Sequence, residues 1–202
     1  EEEIFKHPKG VYKEFVGSSE VSSQDQALIR MWDFNKLEGT AASTPEGRFK
    51  MVSREREVLQ FIKHNDHQLY LQCLRSLTTI EKEQVTTKFN EVYELPSSHQ
   101  RLNQFIGKYL KDFSEQDRLN IIKLLVAKFA DLHEIEIAHR DLGDHSLWIS
   151  PAKEVALSSF ISAYHKPQGT VGDYRDKLSV TSQDMESELS PYRQDVVSLI
   201  QI

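Results

Sequence analysis

A single cysteine, Cys73, rules out an internal disulfide and leaves no second thiolate for a cysteine-based metal cluster. That usage fits a reducing compartment, so a cytoplasmic location is expected. No stretch approaches the roughly 18 apolar residues of a membrane span, and the acidic residues 1–3 are unlike the basic opening of a signal peptide. Excess positive charge is missing too. Lys and Arg total 25 against 31 Asp and Glu, a net charge of -6, so there is no overall basic field to hold nucleic acid or an anionic membrane, although a local basic patch stays open. Gly10 and Gly17 do not complete the G-x-G-x-x-G spacing that cradles phosphates. His7, His64, His67, His99, His133 and His165 form no H-E-x-x-H or comparable metal spacing and are read as structural residues. Internal repeats and low-complexity tracts are absent.

What is present is enough to fold. With 39% hydrophobic residues, a chain of 202 residues fills one large domain or two small lobes. The opening at Glu1 and the abrupt end at Gln201-Ile202 are expected to be those of a piece of a longer protein. Between Val11 and Phe34 the pattern is short and strand-like, broken by Gly17, Ser18, Ser19, Ser22 and Ser23, and Ala27-Leu28-Ile29-Arg30-Met31-Trp32 reads as a buried strand. Residues 35–47 read as a loop. A charged helix is expected over 48–63, where Val52, Glu55, Leu59 and Ile62 recur every three or four positions and place one acid on the apolar face. Strands are expected at 68–74 and 86–94, the second closed by the linker Pro96-Ser97-Ser98. Beyond it, Ser114-Glu115-Gln116-Asp117 has the capping-box pattern. It opens a long helix whose apolar side is read as Leu119, Ile122, Leu125, Val126, Phe129 and Leu132.

Directly after that helix comes Ile137-Ala138-His139-Arg140-Asp141-Leu142-Gly143-Asp144-His145-Ser146-Leu147-Trp148-Ile149. This resembles the catalytic loop of protein kinases, H-R-D-L-x-x-x-N followed by a short apolar strand. In that family the aspartate accepts the proton of the substrate hydroxyl, and the asparagine holds a magnesium ion against the nucleotide phosphates. The resemblance makes Asp141 the catalytic base and puts Ser146 in the asparagine's place. At the spacing of the family's D-F-G stands Ser159-Phe160-Ile161, with the phenylalanine kept and the aspartate replaced. Gly169-Thr170 resembles the glycine-threonine of the activation segment. Asp195 resembles the buried aspartate that anchors the next helix beneath the loop, and is expected to accept hydrogen bonds from loop N–H groups. His139, Phe160 and Leu59 match three members of the hydrophobic column that runs between kinase lobes.

The first half carries weaker echoes of the same family. Ala27-Leu28-Ile29-Arg30 resembles V-A-I-K with arginine in the lysine position, Glu55 is the acid that would pair with it, and the hinge falls at Tyr93-Glu94-Leu95 with Tyr93 as gatekeeper. Arg30, Glu55, Tyr93, Glu94 and Leu95 are therefore the nucleotide-binding positions that the resemblance implies. A planar guanidinium does not sit as a compact ammonium does, which bears on phosphate binding. Glycine at 143 departs from the lysine common in serine/threonine kinases, and no clear A-P-E follows. The tryptophan-aspartate-phenylalanine of 32–34 and the Gly-Asp-His-Ser of the loop look like bacterial kinase-like modules in larger multidomain proteins.

The implied fold class is α+β, a two-lobed protein kinase-like fold. It comprises a small antiparallel sheet lobe over residues 1–95 and a mainly helical lobe over 96–202, truncated near the sixth helix. Phosphoryl transfer relies on metal ions to neutralise phosphate charge, and Ser146 and Ser159 offer only neutral hydroxyls at the two degraded metal positions. Asp144 and His145 are candidate substitutes, but both fall where the family usually faces solvent, so no metal site is expected. The leading expectation is a pseudokinase, a binding or regulatory module whose partners are other domains of the same polypeptide or separate proteins. ATP would be held, if at all, with weak or no magnesium. One alternative is an active atypical serine/threonine kinase using ATP, with Asp141 as base. Another is a platform domain of a DNA-associated multidomain protein, where the acidic balance argues against direct contact with nucleic acid.

Overall fold

Side chains alternate across a strand, so a half-buried sheet writes itself as a period of two. Tyr12 and Glu14, then Leu28, Arg30 and Trp32, then Glu91, Tyr93 and Leu95 are all buried, while the residues between them that are described are only partly so. The run 27–32 therefore keeps one face in and one face half out, rather than being buried on both sides. The computed structural model describes residues 2–6, 12–18, 26–33, 45–64, 73–77, 88–95, 98–166 and 191–202. Among these the protein is α+β, with small antiparallel sheets and four α-helices. None of those helices is long and apolar enough to cross a membrane.

The chain divides into two compact units, Glu1–Ser53 with Leu71–Ser97 and Arg54–Tyr70 with Ser98–Ile202. In this division the later half of one helix, from Arg54 on, groups with the second unit. The first unit holds a five-stranded antiparallel sheet of β1 (Glu2–Lys6), β2 (Tyr12–Ser18), β3 (Gln26–Asp33), β4 (Cys73–Leu77) and β5 (Lys88–Leu95), in the order β1-β2-β3-β5-β4. Its register sets Glu14 opposite Arg30 and Arg30 opposite Glu91, one charged row across three strands. Helix α1 (Pro45–His64) starts earlier than the charge pattern predicts, with a proline in its first turn, where a missing N–H costs nothing. Of the strand expected at 68–74, Cys73 and Leu74 are described and lie in β4, which runs on to Leu77. Residues 68–72 and most of the expected loop at 35–47 are outside the described residues.

The second unit contains the later part of α1 and the elements from β6 onward. These are β6 (Gln100–Arg101), α2 (Leu102–Tyr109), α3 (Glu115–Glu134), β7 (Ile137–Ala138), β8 (Leu147–Ile149), β9 (Val155–Leu157), β10 (Tyr164–His165) and α4 (Pro191–Gln201). Ser114 caps α3: the Asp117 N–H donates to its Oγ at 3.2 Å and its own N–H donates to Asp117 Oδ2 at 3.1 Å. The buried stripe of α3 is Ile121, Leu125, Lys128, Phe129 and Leu132. Leu119, Ile122 and Val126 face outward at 45%, 54% and 49% exposure, contrary to the stripe expected from sequence. Apolar residues at 119, 121, 122, 124, 125 and 126 point in most directions around the axis, so periodicity alone does not choose the face. Sheets β6-β8-β9 and β10-β7 bracket the segment 139–146.

Candidate functional site

Segment 139–146 leaves β7 and enters β8, and its backbone N–H groups are not paired within either strand. A buried donor must find an acceptor. Asp195, on the first turns of α4 and 1% exposed, provides it: Oδ2 accepts from His139 N at 2.7 Å and Oδ1 from Arg140 N at 2.7 Å. His133 Nε2, on α3, lies 3.0 Å from the same Oδ2. Arg140 adopts φ 63°, a left-handed conformation that costs a non-glycine residue on the order of 1 kcal/mol. Its side chain holds it there, with Nε donating to Gln194 Oε1 at 3.0 Å and Nη1 to Ser162 O at 3.2 Å.

His139 is fully buried, and burial pushes its imidazole below the ordinary histidine range despite Asp195 and Asp141 nearby. The neutral tautomer follows from its neighbours. The Asp141 N–H points at Nδ1 at 3.2 Å, so Nδ1 accepts and Nε2 carries the hydrogen that goes to Ser158 O at 2.8 Å. The His139 and Phe160 rings meet edge-on with centroids 4.7 Å apart. The Phe160 N–H donates to Glu55 Oε1 at 2.9 Å, and Leu59, one turn along α1, is buried as well. Ser159 stands at φ 71°, again left-handed, with Ser158 held by Trp148 Nε1 at 2.8 Å.

Asp141 is wholly buried, and His145 folds back over it, with Nε2 3.2 Å from Asp141 Oδ2 and Nδ1 3.8 Å from Oδ1 of the exposed Asp144. Burial works against the imidazolium, but the two carboxylates outweigh it, so His145 is pushed up to about 9. Asp144 is held below the usual carboxylate range by the His145 hydrogen bond. His145 thus departs from the solvent-facing position expected of it: its side chain is 11% exposed against 64% for Asp144. Gly143 makes room, since a Cβ there would come within 2.8 Å of both Cε1 and Nδ1 of His145. Arg101 donates to the His145 carbonyl and lays its guanidinium 4.6 Å over the Trp148 ring. Ser146 is buried inside its own turn: its Oγ accepts from Gly143 N at 2.9 Å and donates to Gly143 O at 3.1 Å.

The other sequence-derived positions lie in the first unit. Arg30 is 0% exposed, with Nε donating to Glu14 Oε1 at 2.8 Å and Nη1 to Tyr93 Oη at 3.2 Å. Its guanidinium lies between the Tyr12 and Tyr93 rings, 4.4 and 4.9 Å from their centroids. Tyr93 donates to Glu91 Oε2 at 2.7 Å, which also accepts from Trp32 Nε1 at 3.1 Å. Leu95 is buried opposite Gln26, and Glu94 pairs with Ala27 in the strand register. Gly169-Thr170 falls outside the described residues.

The second unit therefore gathers Asp141, Ser146, Ser159, Phe160, His139, Asp195, Glu55 and Leu59, while Arg30, Tyr93, Glu94 and Leu95 belong to the first. Sequence reasoning missed Glu14 and Glu91 beside Arg30, His133 on Asp195, and the inward turn of His145. For Glu14 the alternation signals a buried face, in phase with Tyr12 on a strand of period two, but not its pairing with Arg30. The ligand-type side chains of the loop are His139, Asp141, Asp144 and His145, and among the described residues no three His, Cys, Asp or Glu side chains gather as a metal-holding group. No family model matches this chain, and neither does any curated protein.

Proposed function

We propose that this chain is a two-lobed protein kinase-like domain that serves as a pseudokinase, a binding or regulatory module within a larger protein. The element order supports the reading: an antiparallel sheet with α1 after its third strand, then α3, β7, the loop, β8 and β9. So do the Asp195 carboxylate beneath the loop and the His139–Phe160 contact above it. One observation carries the loss of transfer. The Ser146 hydroxyl, in the place of a metal-binding asparagine, donates its proton to Gly143 O and accepts from Gly143 N, and it brings no charge to a hard cation. Arg30, in the place of the phosphate-binding lysine, has two of its nitrogens bonded to Glu14 and Tyr93.

Its partners on this reading are neighbouring domains of the same polypeptide or separate proteins, and ATP is bound weakly and without dependence on magnesium. Calorimetric titration with ATP, in magnesium and in chelator, tests it, and tight binding that vanishes on chelation counts against it. A second reading, an active atypical kinase, draws on Asp141, whose carboxylate is retained beside His145. Radiolabelled ATP decides between them: label incorporated by the natural chain and lost in Asp141→Asn identifies the enzyme, and no label in either leaves the pseudokinase.

A further inference from the structure

Asp141 is a carboxylate with no exposure to solvent, which is a costly placement unless a partner of opposite charge comes with it. Both ring nitrogens of His145 face carboxylates, Nε2 towards Asp141 and Nδ1 towards Asp144. We infer that His145 is the internal cation of this loop, an imidazolium that occupies the position an exchangeable cation would take between Asp141 and Asp144 and keeps the loop set without one. Two features independent of the ion pair support this. Gly143 lacks the Cβ that would collide with the ring, and Arg101 fixes the His145 backbone by donating to its carbonyl. Charged or titratable groups that bear on the ring include, among the described residues, Asp141 and Asp144 from the loop, the neutral His139, and Arg101 from β6, whose like charge opposes the imidazolium. The inference stands on these contacts and not on the kinase-like reading, so either can fail alone.

Chemical rescue tests it, using the full chain at neutral pH. The thermal midpoint of His145→Ala is measured with added imidazole, with pyrazole as a neutral ring of the same size, and with sodium chloride at matched ionic strength. Imidazole is expected to raise the midpoint saturably by about 3 °C or more, pyrazole and salt are not, and the rescue is lost in His145→Ala combined with Asp141→Asn. Equal rescue by pyrazole would show that the ring only fills space, and no rescue of a folded variant would show that no cation position exists; either overturns the inference. Should His145→Ala not fold, histidine NMR of the natural sequence decides. The titration midpoint of His145 is expected to fall by at least about one pH unit in Asp141→Asn, and an unchanged midpoint overturns the inference.

Discussion

His145 has consequences that reach the stability of the protein. Its imidazole, pushed up to about 9 from 6.5, binds its proton more tightly in the folded state than in the unfolded one. A group raised in this way gives stability that is fully present below pH 6.5 and is lost as pH rises through 9. His145→Gln is therefore expected to cost about 2 kcal/mol at pH 6. The difference from the natural chain should narrow at pH 10, and urea denaturation at the two pH values checks it; a constant difference would mean packing rather than charge. Asp195 acts at the same scale by a different route. Removing it in Asp195→Ala leaves the buried N–H groups of His139 and Arg140 without their carboxylate, at a cost of about 3 kcal/mol. Denaturant midpoints measure that loss, and hydrogen exchange at residues 139 and 140 should quicken more than at the middle of α3.

The same forces act along whole elements, where two can be tested by single changes. Ser114 satisfies the first turn of α3, and Asp117, whose carboxyl is held down at about 2 by hydrogen bonds from Lys153 and then Ser114, completes the exchange. Ser114→Ala is expected to cost about 1 kcal/mol by denaturation. In the sheet, the row Glu14–Arg30–Glu91 buries one guanidinium against β2 and β5, and Arg30→Met leaves Glu14 buried without that partner. Breaking a buried pair from one side costs about 3 kcal/mol, whereas restoring complementarity with Glu14→Gln in the same chain should recover part of it. A double-mutant cycle read by urea unfolding separates the pair from its neighbours. These elements also show which patterns sequence carries. The cap of α3 was legible because capping is local, fixed by residues three apart. The row was not, because strand register joins residues 16 and 61 positions apart, and the apolar face of α3 was misread because apolar residues surround its axis.

At the scale of the whole molecule, the α+β class and the longer elements β2, β3, β5, α1 and α3 were legible, since strand alternation and helical spacing are local consequences of burial, whereas β1, α2 and the two-residue strands β6, β7 and β10 were not. The candidate site was legible as a string, 137–149, but not as a geometry. That Asp141 pairs with its own neighbour four residues on depends on a glycine whose value lies in what it lacks, and Ser146 closes on the backbone of that same residue. What composition does govern is the field around the protein. With 31 acids against 25 bases, long-range electrostatics oppose a polyanion, so attraction to DNA would need a local basic face strong enough to overcome a net charge of -6. Binding driven by phosphate contacts releases counterions, and its affinity falls steeply with salt. Titrating the full chain into a fluorescent duplex at low salt is therefore expected to give no saturable anisotropy change. If saturation did appear, repeating the titration across salt concentrations would give a slope that counts the phosphates engaged. A slope of several charges would place a basic surface on the molecule and favour the DNA-associated platform, while a flat response counts against that platform.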